Sequence, residues 1–114
     1  MEYVKGKTMY EWILDAKSES ISKVVERITT EIKALHSLNY VHGDLRSNNI
    51  IIGEQITNEL QFWIIDFDWA GIVYHTHYPL FMNHKDINWP VGAEDGKIIT
   101  FEHDLIMAKR LLNK

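Results

Sequence analysis

The chain has 114 residues, 46% of them hydrophobic and 25% charged, and a formal net charge of −4. That length predicts one globular domain and leaves no room for a second, since domains commonly run to ~100–150 residues. The scattered basic residues exclude a stripe for nucleic acid, and the lack of cysteine excludes a disulfide framework, a thiol nucleophile and a Cys-based zinc site.

Residues 8–16 place apolar side chains at Met9, Trp12, Ile13 and Ala16, the spacing of a short helix with Thr8 as its N-cap. Ile21, Val24, Val25, Ile28, Ile32, Leu35 and Leu38 then form one stripe, which predicts a longer helix capped by Ser18 or Ser20. The segment His42-Gly43-Asp44-Leu45-Arg46-Ser47-Asn48-Asn49 follows. Ile50, Ile51 and Ile52, a turn-like stretch at 53–58 and an apolar run at 60–65 predict a small β-hairpin. Antiparallel pairing across that hairpin is the simplest way to bring Asn49 beside Asp66, the first acid of Ile65-Asp66-Phe67-Asp68. From 71 to 100 the chain is rich in His, Pro, Gly, Asn and aromatic residues without lasting periodicity, which predicts a surface segment packed by its own aromatics. Trp12, Trp63, Trp69 and Trp89 read as packing residues. Helical spacing returns at 101–112 through Leu105, Ile106, Ala108, Leu111 and Leu112.

The two segments 42–49 and 65–68 resemble the catalytic loop and the metal-binding loop of the protein-kinase-like superfamily. Enzymes of that kind need a carboxylate beside the acceptor hydroxyl, and an amide oxygen with a second carboxylate to hold Mg²⁺ against the phosphates of ATP. The resemblance implies Asp44 as the base, with Asn49 and Asp66 as ligands of Mg²⁺ and thereby of the nucleotide. It also implies that Arg46 neutralises charge on the transferred phosphoryl group. Met1-Glu2-Tyr3-Val4-Lys5-Gly6 looks like the hinge whose backbone hydrogen-bonds the adenine, which adds Glu2 and Val4 to the nucleotide contacts. His42 is expected to brace its loop by hydrogen bonds rather than to titrate.

The implied fold is mainly α with a small β-hairpin: a protein-kinase-like C-lobe, the back lobe of an α+β superfamily fold without its N-lobe. It divides into a hinge (1–7), helices and catalytic loop (8–49), hairpin and metal loop (50–71), an activation-segment-like stretch (72–100) and a closing helix (101–113). Asp66-Phe67-Asp68-Trp69-Ala70-Gly71, with Tyr78-Pro79-Leu80-Phe81 and His103-Asp104-Leu105, is similar to a divergent group that includes the Crinkler-type effector kinase domains. There Asp104 corresponds to a buried acid that hydrogen-bonds the catalytic-loop backbone.

Each assignment has a plainer alternative. Asp44 could cap a turn that ends a helix, with Asn49 opening a strand; Arg46 could be a solvated surface residue; Asp104 could be an exposed first-turn acid favoured by the helix dipole. Asp68 stands where such kinases have Gly, and reads either as an extra metal ligand or as a solvated acid. Gly43 replaces the Arg that pairs with a phosphorylated activation segment, which argues against that form of control. Six histidines invite a zinc reading, yet His75 and His77 find no obvious third and fourth ligand.

Only 41 residues precede His42, too few for a Gly-rich phosphate-covering loop, its strand Lys and the partnering Glu, so nucleotide affinity is expected to drop without them. Three functions follow: ATP- and Mg²⁺-dependent transfer to a protein Ser, Thr or Tyr hydroxyl; a small-molecule phosphotransferase of the aminoglycoside or choline type; or an inactive pseudokinase fragment that binds a partner. Expected partners are the nucleotide and either a protein substrate or a polypeptide supplying the front lobe, with neither nucleic acid nor membrane. No apolar run nears the ~20 residues of a membrane span, and Met1–Lys5 lacks the pattern of a secretion signal, so the default expectation is an intracellular protein.

Overall fold

The computed structural model describes residues 6–53 and 61–112. Strand β1 (Gly6–Thr8) leads into α1 (Met9–Ile13) and α2 (Ser18–Ser37), then β2 (Tyr40–Val41), a 3₁₀ turn at Ser47–Asn49, β3 (Ile50–Gly53), β4 (Phe62–Ile64), β5 (Gly71–Ile72) and α3 (Phe101–Arg110).

Helix α2 is the centre of the core. Ile21, Val24, Val25, Ile28 and Ile32 are buried along one stripe, each contributing roughly 1.5–3 kcal/mol through the apolar surface removed from water. The stripe ends earlier than its spacing predicts: Leu35 is half-buried and Leu38 is exposed, while His36 takes an inward place four residues after Ile32. Neither Ser18 nor Ser20 caps the helix. Its N-cap is Lys17, whose side chain makes no capping bond, because the extended chain turns helical at Ser18 itself. Asn39, at φ +66°, ends the helix in the left-handed conformation that Asn tolerates well.

Thr8 caps α1 as its sequence predicts, in a reciprocal arrangement. Its hydroxyl accepts the Glu11 N–H at 3.2 Å, and the Glu11 carboxylate accepts the Thr8 N–H at 3.3 Å. The α-helix stops at Ile13 rather than Ala16. Leu14, Asp15 and Ala16 instead donate to carbonyls three residues back, the tightened geometry of a final turn.

The expected hairpin forms from β3 and β4, with Ile51 opposite Trp63. It does not stand alone, which corrects the single-hairpin expectation. Strand β1 pairs with the other edge of β3, and β2 pairs antiparallel with β5, Tyr40 opposite Ile72. These added strands have two or three residues each, too few for alternation to announce them. Helices remain the larger part of the regular structure.

Helix α3 keeps part of its predicted apolar face inside, with Ala108 and Leu111 buried and Leu105 half-buried, but Ile106 and Leu112 are exposed and His103, Asp104 and Met107 are buried instead. Two polar residues go inside because each finds partners there. Between β5 and α3 the chain has no helix, and Trp69, Tyr78 and Trp89 pack on one another, the two indoles 5.6 Å apart. Trp12 rests half-buried against the core, but Trp63 is 38% exposed on β4 and is not a core residue.

Candidate active site

The loop after β2 is held from beneath by one buried carboxylate. Asp104, 1% exposed, accepts the His42 N–H at 2.8 Å through Oδ2 and the Gly43 N–H at 2.9 Å through Oδ1, and Oδ2 also takes His36 Nε2 at 2.9 Å. The exposed first-turn alternative for Asp104 is therefore excluded. Gly43 sits at φ +88°, and a Cβ there would stand 2.8 Å from Cδ1 of Ile99, so both backbone and space demand glycine.

His42 is fully buried and braces two loops. Its Nδ1 accepts the Asp44 N–H at 3.1 Å, which leaves Nε2 to carry the proton and donate to the Ile65 carbonyl at 3.1 Å. The catalytic-type loop is thus tied to the residue just before Asp66. The His42 ring also meets the Phe67 ring edge-on at 4.8 Å.

Asp44 is 6% exposed. Its carbonyl accepts Asn49 Nδ2 at 2.8 Å, and its Oδ1 accepts Arg46 Nε at 2.8 Å. Asp44 is therefore no simple turn cap, and Arg46 is paired rather than solvated. The second carboxylate oxygen, Oδ2, has no partner among the described residues.

Asn49 and Asp66 come together through the hairpin. Ile50 faces Ile64 in the ladder, and the Ile65 N–H donates to the Asn49 carbonyl at 2.8 Å, so Asp66 follows directly on the residue joined to Asn49. Asp66 adopts φ +59°, uncommon for a residue with a side chain, and is exposed. The Asp68 N–H reaches its Oδ1 only at 3.4 Å, and Asp68 is exposed as well. Glu2 and Val4, the hinge contacts expected for adenine, lie outside the described residues.

The donor set suits a hard cation that brings its own waters and phosphate oxygens. Asn49 spends its amide nitrogen on Asp44, leaving its oxygen, and Asp66 offers a carboxylate. No group of three or more His, Cys, Asp or Glu able to hold a metal occurs among the described residues.

Two further groups border the loop. Tyr78 bonds to His103 Nδ1 at 3.1 Å, and burial pushes its hydroxyl well above the ordinary value of 10.0, helped by the nearby carboxylates of Asp104 and Asp44. Farther out, Asp95 accepts His84 Nε2 at 2.9 Å and the N–H groups of Phe81 and Met82. The His84 bond first, then the two amides, holds its carboxyl below the usual range. Beside Arg46 opens a cleft of about 720 Å³ whose floor includes Ile13, Leu45, Met107 and Leu111 and whose rim includes Asn48 and Asp86.

The model of the lipopolysaccharide kinase (Kdo/WaaP) family matches residues 7–76, more than half of the chain and the whole span from β1 past the Asp66 loop. The chain belongs to this family. It is 32% identical over 72 residues to the EKC/KEOPS complex subunit bud32 of Dictyostelium discoideum, covering 59% of this chain and 27% of that protein. It is 32% identical over 68 residues to the KEOPS complex subunit Bud32 of Pyrococcus abyssi, covering 60% and 31%. Over 46 residues it is 44% identical to the 3-deoxy-D-manno-octulosonic acid kinase of Mannheimia succiniciproducens, covering 40% and 19%. The chain therefore spans between about a fifth and a third of the length of these relatives. The expected protein-kinase-like superfamily is borne out by this membership. No described helix is long and apolar enough to cross a membrane.

Sequence reasoning gave no role of their own to His36, Ile99 and Tyr78, the last named only within Tyr78-Pro79-Leu80-Phe81. His36 carried a signal: it lies at the four-residue step of Ile28 and Ile32, so a polar residue occupies a place on the buried stripe. Ile99 and Tyr78 come from a segment with no period, and only the folded backbone brings them under the loop.

Proposed function

We propose that the chain is the back lobe of an ATP- and Mg²⁺-dependent kinase, in which Asp44 takes the proton from an acceptor hydroxyl as that oxygen attacks the γ-phosphorus of ATP. The carrying observation is the state of the Asp44 carboxylate: Oδ1 is held by Arg46, the backbone on either side is pinned, and Oδ2 is left to meet a hydroxyl. The proton passes to Oδ2, the new P–O bond forms, and ADP leaves with the electrons of the bond it loses. The guanidinium of Arg46, anchored through Nε, keeps its terminal nitrogens for the charge gathering on the transferred group. Asn49 and Asp66 would hold Mg²⁺, whose chemistry is to neutralise and align the phosphates. Membership of a kinase family supports the use of ATP.

The acceptor in this reading is a protein Ser, Thr or Tyr hydroxyl, and the cleft beside Arg46 supports it. Its floor is apolar, which suits the side chains that flank a hydroxyl on a polypeptide better than a fully hydroxylated sugar. Likeness to myosin light chain kinase A of Dictyostelium discoideum, 32% identical over 79 residues, agrees with a protein acceptor. The second reading, transfer to a sugar hydroxyl, is favoured by the family's description and by the stretch shared with a 3-deoxy-D-manno-octulosonic acid kinase. In either case a front lobe, from the same polypeptide or from a partner, would cover the nucleotide. The likeness to Crinkler-type domains and an intracellular location belong to the protein-acceptor reading.

Titration calorimetry with ATP, with and without Mg²⁺, is the first test. Saturable, metal-dependent binding is expected in the wild type. A transfer assay against protein and sugar acceptors then separates the two readings. Asp44→Asn should lower transfer by about 10²–10⁴-fold with the fold intact, and undiminished transfer in that variant would overturn the assignment of the base.

A further inference from the structure

We infer that Phe81 is an anchor for the acceptor polypeptide, holding it where the segment between β5 and α3 borders the cleft beside Arg46; this rests on the protein-acceptor reading of the proposed function. Phe81 adopts φ +63°, a conformation that strains a bulky side chain, and it is 93% exposed. Folding therefore gains almost nothing from the ring, while it bears both the backbone strain and the apolar surface left in water. Glycine or asparagine would take the same backbone with less strain. A phenylalanine at this place serves something outside the chain.

The backbone beneath the ring is built rather than loose. Asp95 accepts the Phe81 N–H at 2.8 Å through Oδ2 and the Met82 N–H at 3.2 Å through Oδ1, and Oδ1 also takes His84 Nε2 at 2.9 Å. Met82 is buried, so consecutive side chains are sent in opposite directions, one into the core and the other into solvent. A fixed mount for a projecting ring suits a protein interface, where aromatic anchors give some of the largest single contributions and lose little freedom on binding. The place of Phe81 names the occupant. Asn83, two positions on, lines the cleft together with Asp86 and Ile87, so a polypeptide seated beside Arg46 meets Phe81 by continuing along the same stretch of chain. A single sugar ring in the cleft has nothing to extend that way. A lipid surface fits worse, because the segment carries Asp86, Glu94 and Asp95 against Lys85 and Lys97, on a chain of net charge −4 that an anionic leaflet repels.

The test compares wild type, Phe81→Asn and Phe81→Trp on short peptides that carry one threonine as acceptor in a glycine and alanine background, with a single leucine walked through the other positions. Asparagine keeps the left-handed backbone and removes the ring, whereas tryptophan keeps an aromatic anchor. Wild type should favour leucine at one displacement from the threonine. The KM for that peptide should rise roughly tenfold to thirtyfold in the Asn variant and recover in the Trp variant, with the loss falling on KM rather than kcat. The Asn variant should unfold at a denaturant midpoint no lower than that of wild type, since nothing in the fold uses the ring. A lower midpoint would show that the ring serves stability and would overturn the inference. Transfer without any leucine preference, or a preference that survives in the Asn variant, would overturn it too, and would leave Asp44 as the base untouched. If wild type transfers phosphate to no peptide, the protein-acceptor reading fails, and the Phe81 ring proton resonances decide the anchor separately: movement on adding the leucine peptides in excess keeps it, and unmoved signals overturn it.

Discussion

The loop around Asp44 and the loop around Asp66 hold the two acids of the candidate site, and they are built in opposite ways. Around Asp44, His42 is fully buried, Asp104 bridges two backbone amides, and Asn49 and Arg46 each give a hydrogen bond to Asp44. Around Asp66, the acid, Phe67 and Asp68 all face solvent, the backbone is left-handed, and one long bond joins the two carboxylate residues. The first loop is finished by the protein's own core. The second is joined to it chiefly through His42 and the hairpin.

That contrast breaks first at Asp104. Asp104→Ala strips two buried amides and His36 of their acceptor and should cost about 3 kcal/mol, read as a lower denaturant midpoint with unchanged slope. Gly43→Ala comes next, at about 2 kcal/mol, because it adds both left-handed strain and a clash with Ile99. A second change, Ile99→Val, should recover the clash but not the strain, and the same unfolding experiment separates the two.

A smaller effect sharpens the boundary of the finished region. The Tyr78 hydroxyl is raised above 10.0 in the folded protein, so its contribution to stability is complete below pH 10 and declines as the pH climbs beyond it. Tyr78→Phe should therefore show a shallower alkaline loss of stability than the wild type. The smallest change is expected at Asp66→Asn, under about 0.5 kcal/mol in stability since nothing buried depends on it, yet with loss of the metal-dependent part of ATP binding in calorimetry. A large drop in stability there would erase the distinction between the loops.

The sequence made the finished loop readable because its chemistry is compressed into eight consecutive residues, preceded by a long helix and followed by a strand of three isoleucines. The hairpin was readable for the same reason, as a local pairing with apolar runs on both sides. Less could be seen of what supports them. Strand β1 and the β2–β5 pair are too short to show a period, and the inward face of α3 is marked by His103 and Asp104 where hydropathy points to Ile106 and Leu112. Those polar residues are inside because partners distant in sequence await them, and a linear pattern cannot display partners 61 or 62 positions away.

The stretch between β5 and α3 leaves and re-enters the fold through a narrow neck. Tyr78 N–H donates to the Lys97 carbonyl, Ile99 N–H donates to the Thr76 carbonyl, and His77 bridges Ile98. Between those ties the chain is fastened again to the core, with Met82, Trp89 and Ala93 buried and Arg110 donating to the Asn88 carbonyl, while Asn83, Asp86, Ile87 and Asn88 line the cleft. Under the proposed function, acceptor contacts and bond chemistry would fall on different stretches of one small chain, the first on this segment and the second on the loop that carries Asp44.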